Sequence, residues 1–322
     1  MPGRLSKYLI RMFEPSDWLR TYDEGTQNVN DFILPSGPHE KNEMSDTVYH
    51  KGGQVGYHEH RSGFETFFVR KGRVQCTVRG KRFVINEGDI IHLPPYVAHG
   101  FVHLEEGTVW RELFQEINLA QQIANKNLIN RHYPEYFEDP EFQDFYQGAY
   151  RGRIVRQTPA PVDVPKESMH EVRTPGFAYS TYSFDGLEMR LIIGRWECNG
   201  VKEVWEANME KGLEIHWDYP FPEPNLFYIR SGRIKFNVLG EEFEATDDCL
   251  VHIPPYAKHF LEVLEDAKVY DCGCSARLLD LLEDIESLKA YSPEKLEDAE
   301  HMKKFMRRYE CFVTSVQKNG SV

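Results

Sequence analysis

The chain has 322 residues, with 51 Asp and Glu against 38 Lys and Arg for a net charge of −13. That length suits two domains with substantial cores, and the acidic balance argues against a nucleic-acid surface, which would be basic. No apolar run nears the ~18 residues of a membrane span, the N-terminus has no signal-peptide core, and six cysteines are too few for a disulfide scaffold, so a reduced cytoplasmic protein is expected.

Residues 1 to about 45 carry little chemistry. Tyr8, Leu9, Ile10, Met12 and Phe13 form an apolar cluster before a turn at Glu14-Pro15-Ser16-Asp17. Such an arm can add a strand to its own sheet or to a partner subunit, and the sequence does not choose.

From about residue 44 to 116 short strands follow one another, broken by glycine turns at Gly72, Gly80 and Gly88. Spacings of eight to ten residues indicate an antiparallel sandwich or barrel. Four side chains here are of metal-ligating types: His58, His60, Glu65 and His99. On a strand, residues two apart share a face, so His58 and His60 can reach one ion while Glu59 points the other way. Asp89 after Gly88 suits turn capping. Residues 109–114 read as a further strand. Arg70 and Arg111 are candidate anchors for an anionic substrate, with a salt bridge or a solvated face at least as reasonable for each.

Residues 116 to about 150 have helical composition and many aromatics. Packing between domains is the plainer role for them and a lid over the site the sharper one. Pro159, Pro161 and Pro165 mark a linker.

The second half repeats the first at an offset of 160 residues from Glu65 onward, without a gap to Trp110 and Tyr270. Gly72 falls on Gly232, Pro94-Pro95-Tyr96 on Pro254-Pro255-Tyr256, and His99 on His259. Aligned this way, His58 corresponds to His216, His60 to Asp218 and Glu65 to Asn225, with a two-residue insertion between. His216, Asp218 and His259 are therefore a weaker second candidate set, since two His and one carboxylate can bind non-haem iron. A lapsed site is the favoured reading. His92 and His252 recur in both copies, which favours a structural role. Cys272 and Cys274 read as reduced thiols at a strand end. The chain then turns helical, with an apolar stripe at Leu278, Leu279, Leu281, Leu282 and Ile285, and with Ser292 as an N-cap opening a second helix to about Tyr309.

These residues resemble the cupin family, whose motifs are G-x5-H-x-H-x3,4-E-x6-G and G-x5-P-x-G-x2-H-x3-N. His58, His60, Glu65 and Gly72 match the first motif, and Gly88, Pro94 and His99 the second. Tyr96 stands in place of the second motif's glycine and His103 in place of its asparagine. The resemblance implies a mainly β protein with two cupin barrels (double-stranded β-helix, jelly-roll) in tandem. The expected layout is an N-terminal cupin over 1–115, a helical and Pro-containing linker over 116–165, a degenerate cupin over 166–274 and a helical tail over 275–322.

Three His and one Glu suit Fe(II), Mn(II), Ni(II), Co(II) or Zn(II) and leave positions open for substrate. Bicupins of this family include gentisate-type ring-cleaving dioxygenases, oxalate decarboxylases, flavonol dioxygenases and sugar-phosphate isomerases. An intact first barrel beside a lapsed second resembles the gentisate type, although that type lacks the glutamate. Oxalate decarboxylases usually keep all four ligands in both barrels. The favoured reading is an Fe(II) oxygenase on a small anionic or enolisable substrate, oriented by Tyr96 and by Arg70 or Arg111. The alternatives are a redox-neutral decarboxylase, lyase or isomerase with Mn, Zn or Ni, and a non-catalytic ligand-binding cupin. A homodimer is expected, with neither nucleic acid nor membrane as partner.

Overall fold

The computed structural model describes residues 6–12, 14, 20–23, 27–31, 42–115, 119–156, 160–200, 202–217, 224–273, 277–309 and 313–318. Its contacts divide the chain into a first unit, Trp18–Phe177, and a second unit, Ala178–Val322 together with Met1–Asp17. The helical segment after residue 116 thus belongs with the first barrel, and the C-terminal helices with the second.

The first unit is a jelly-roll sandwich of a seven-stranded and a six-stranded sheet. Its sequence pattern shows why. In the strand Arg73–Val78, Val74, Cys76 and Val78 are fully buried while the residues between them are not. This period of two is what a sheet with one face on a core requires. Phe67, Phe101 and Trp110 meet those side chains from other strands in the same core. Gly72 turns the chain between two strands at φ +84°, and a Cβ there would lie 2.7 Å from the Thr108 hydroxyl oxygen. Its repeat, Gly232, has φ +98° and would put a Cβ 2.4 Å from the Asp266 carbonyl oxygen. Both positions therefore demand glycine.

Strand pairing confirms the duplication in three dimensions. Phe67 pairs with Ile91 and Phe227 with Val251, while Val78 pairs with His99 and Val238 with His259. The repeat reaches beyond the barrels. Val172 pairs with Ile91 at one edge of the first unit, and Leu9 pairs with Val251 at the matching edge of the second. The N-terminal arm therefore adds a strand within its own chain, and Tyr8 stacks on Phe243.

Each unit also carries a helical excursion and a returning strand. In the first, Leu119–His132 and Pro140–Ala149 precede Gly152–Ile154, which pairs with Gln54–His60. In the second, Leu278–Tyr291 and Ala299–Arg307 precede Val313–Lys318, which pairs with Leu213–Trp217. The helix expected to run from Ser292 to about Tyr309 is broken. Asp298 ends its short first part and then caps Ala299–Arg307 through the backbone N–H groups of Glu300 and His301, both at 3.0 Å.

Among the described residues Cys76, Cys198, Cys249 and Cys272 are buried and in no disulfide, and Cys274 lies outside them. No helix among the described residues is long and apolar enough to cross a membrane.

Candidate metal centre

The four first-barrel candidates converge. Their ligand atoms all lie within 4.8 Å of one another, and His60, Glu65 and His99 are 7%, 5% and 1% exposed. His58 and His60 come from the strand Gln54–His60, Glu65 from Phe64–Lys71 and His99 from the start of His99–His103. His58 and His99 face each other across a strand pair. Glu59 points away, as the alternation requires, and binds Arg153 at 2.9 Å.

Backbone carbonyls set the histidine tautomers. His58 Nδ1 donates to the Gly56 carbonyl at 2.7 Å, and His99 Nδ1 donates to the Val97 carbonyl at 2.8 Å. Only a protonated Nδ1 can pair with a carbonyl, so both Nε2 lone pairs are left for the centre. His60 Nε2 sits 3.1 Å from His58 Nε2 and 3.2 Å from a Glu65 oxygen.

The Glu65 Oε2 and His99 Nε2 atoms lie 2.9 Å apart, yet both are buried without hydrogen-bond geometry to any partner. Buried polar atoms are normally satisfied. Two orphaned lone-pair atoms, aimed into one point with two further imidazole nitrogens, fit a divalent cation there.

Electrostatics agree. Burial and the rings of His99 and His60 push His58 down to about 3, so it stays neutral. Burial pushes the Glu65 carboxyl up, but the His60 and His99 rings hold it well below the usual carboxylate range. Burial pulls His60 down, and Glu65 more than offsets this, leaving it raised. A cation competes with a proton for His60, so metal affinity rises with pH.

The centre sits in a cavity of about 700 Å³. Phe67, Phe101 and Trp110 line one part, and Gln122, Lys126, Asn130, Gln143 and Gln147 from the helical excursion line another. The helices therefore lie over the site. Tyr146, which donates to the Gln122 carbonyl, and Asn125, which donates to the Tyr150 hydroxyl, tie the two helices together. Lys126 is the one cation among the described lining residues. Glu112 also lines the cavity, and burial together with the Glu65 charge raises its carboxyl well above the usual range, so it keeps its proton. Lys126 and Glu112 were not singled out in the sequence.

The expected substrate anchors lie elsewhere. Arg111 is fully buried in a two-point pair with Asp46, at 2.6 and 2.7 Å, on the strand face opposite Trp110 and Glu112. Tyr96 takes φ +63° where the motif has glycine, and its side chain is 66% exposed outside the cavity. Arg70, next to last in the strand Phe64–Lys71, does not line the cavity either. His92 is buried against the Thr66 hydroxyl at 2.9 Å, which is the structural role expected of it. His103 is buried, stacked on Tyr49 at 3.5 Å between ring centroids and pushed by burial to about 3.

The second barrel differs by one residue of register. Opposite His259 stands Trp217, not His216, and the two rings stack at 4.5 Å. His216 pairs with Phe260, and its ring lies 4.4 Å from the Phe260 ring, on the other face of the strand. The set His216, Asp218 and His259 is thereby corrected: His216 and His259 face opposite ways, and Asp218 lies outside the described residues. The cause is a β-bulge in the first barrel, where pairing shifts between His99 and Phe101 so that Gly56 and Tyr57 both oppose Gly100. A Cβ on Gly100 would lie 3.1 Å from the Val55 carbonyl oxygen and 3.2 Å from Tyr57 Cα. The second barrel has Phe260 at this repeat position and a regular register. Asn225, at the position of Glu65, donates to His259 Nε2 at 3.0 Å and so occupies the lone pair a metal would take.

Residues 46–110 match the family model for a cupin domain. No curated protein matches the sequence. Among solved structures, the chain is similar to the oxalate decarboxylase of Lactobacillus farciminis as a formate complex. The TM-score is 0.52 at 16% identity, over 84% of this chain and 86% of that one. It is also similar to Bacillus subtilis oxalate decarboxylase, in a structure concerned with its Mn(II) centres. There the TM-score is 0.56 at 14% identity, over 99% of this chain and 90% of that one. The chain thus carries a cupin-domain match over residues 46–110 and shares the tandem two-barrel fold of these structures.

Proposed function

We propose that the first unit is a divalent-metal enzyme acting on a small carboxylate without net redox change, a decarboxylase or lyase, with Mn(II) as its ion. The observation that carries this reading is one cavity that joins the His58, His60, Glu65 and His99 set to Lys126. A divalent ion held there supplies a Lewis acid with positions left open for a substrate carboxylate.

The side chains around it do the rest. Lys126 holds the charged end of the substrate, and the amides of Gln122, Asn130, Gln143 and Gln147 orient it. Phe67, Phe101 and Trp110 keep that part of the cavity dry. Glu112 supplies the proton. As the bond to the departing CO₂ breaks, its electron pair stays on carbon, carbon takes the Glu112 proton, and solvent returns a proton to Glu112.

The similar structures named above are oxalate decarboxylases, one of them studied for its Mn(II) centres. They favour the redox-neutral alternative over the Fe(II) oxygenase that the barrel asymmetry had favoured. The test is to load metal-free protein with Mn(II), offer oxalate and other small di- and 2-oxocarboxylates, and follow CO₂ release and O₂ uptake together. CO₂ without net O₂ uptake supports the proposal. Lys126→Ala then raises KM about tenfold, as expected for a lost charge-assisted contact. Stoichiometric O₂ uptake would restore the oxygenase, and no turnover with any substrate would leave a ligand-binding cupin.

A further inference from the structure

The two units share one plan, a barrel whose mouth is covered by a helical pair and a returning strand, but they differ in what lines it. In the second unit a cavity of about 1140 Å³ lies between barrel and helices. That is far more than a packing defect, because protein interiors leave few voids larger than a water molecule. It is large enough for a small organic molecule.

Its barrel wall includes Ala207, Met209, Ile215, Trp217, Phe227 and Val269. Leu278, Leu282, Ile285, Met302 and Met306 come from the helices. The matching helices of the first unit present Gln122, Lys126, Asn130, Gln143 and Gln147 instead. The second cavity thus has an apolar cap where the first has a polar one. Its four lining methionines, Met189, Met209, Met302 and Met306, suit an adaptable apolar contact surface.

The place of the lapsed metal set supplies a polar handle. His259 Nδ1 donates to the Ala257 carbonyl at 2.9 Å, so its Nε2 accepts from the Asn225 amide at 3.0 Å. The Asn225 Oδ1 then has no partner among the described residues, and Asn225 lines the cavity beside Trp217. Charged lining residues balance: Asp185, Asp271 and Glu297 against Lys303, Arg307 and Lys318. The cavity therefore selects neither sign of charge.

We propose that the second unit binds an uncharged, largely apolar small molecule, aromatic or polycyclic, that donates one hydroxyl hydrogen bond to Asn225 and packs against Trp217. This site is independent of the metal chemistry of the first unit.

The probe is 2-naphthol, titrated into the full chain and followed by calorimetry and tryptophan fluorescence, with naphthalene as the analogue lacking a hydroxyl. One saturable site per chain is expected. Ala207→Trp, which fills the cavity, weakens binding at least tenfold while metal content stays unchanged. Met302→Trp fills it from the helical side and serves if Ala207→Trp does not fold. Asn225→Leu weakens 2-naphthol about five- to tenfold and leaves naphthalene unchanged. The proposal is overturned if no saturable binding occurs, if binding survives both filling variants, or if bound 2-naphthol is displaced by substrate of the first unit.

Discussion

Replacing Gly100 with phenylalanine gives the first barrel the residue its repeat carries at position 260. A Cβ at Gly100 alone would meet the Val55 carbonyl oxygen at 3.1 Å and Tyr57 at 3.2 and 3.3 Å, so the bulged strand must move. The regular register of the second barrel is the alternative open to it, and in that register the residue at the His58 position turns to the outer face. One of four ligands is then lost. Perturbing groups that merely orient ligands costs about 10- to 100-fold in metal affinity. Gly100→Phe is therefore expected to weaken metal binding by at least about 100-fold, and Gly100→Ala by about tenfold. The assay is Mn(II) titration of metal-free protein followed by electron paramagnetic resonance, with circular dichroism to establish the fold. A folded Gly100→Phe protein with unchanged Mn(II) affinity would refute the argument that the bulge delivers His58.

Two further perturbations probe the surroundings of the site. Arg111→Met leaves the buried Asp46 carboxylate without its guanidinium, since both side chains are 0% exposed. About 3–5 kcal/mol of stability should be lost in denaturant unfolding, and the double variant with Asp46→Leu should recover most of it. A change in KM with no loss of stability would instead restore Arg111 as a substrate anchor. His103, neutral in the fold with a pKa of about 3 against 6.5 when unfolded, makes stability fall as pH falls below 6.5, because only the unfolded chain takes up the proton. From pH 6.5 to 5 the loss from this residue is about 2 kcal/mol. His103→Phe should flatten the pH dependence by that amount, and an unchanged slope would show that His103 is not the group responsible.

The ligand set was legible because H-x-H on a strand is a two-residue period, and because Glu65 and His99 follow at motif spacing. The duplication was legible because its offset runs ungapped through both barrels. The faces of the strand 109–114 were also within reach: Trp110, Glu112 and Phe114 alternate inward, which puts Arg111 on the other side. There it forms the salt bridge that the sequence held at least as reasonable as a substrate anchor. The bulge was not legible, since it is a change of backbone register with no motif of its own, marked only by glycine at 100 against phenylalanine at 260. Without it, His216 aligned with His58 although Trp217 holds that place. Lys126 was missed because residues 116–150 were read for their aromatics, while the polar run Asn125-Lys126-Asn127 was the signal for a hydrophilic cavity wall.

The central claim is one metal centre per chain, built on the first barrel. Metal-free protein and the variants His60→Ala and His259→Ala should be equilibrated with excess Mn(II), freed of unbound ion and measured for metal per chain. The account predicts about one ion in the parent and in His259→Ala, and none in His60→Ala. Two ions in the parent, or a loss caused by His259→Ala, would contradict it.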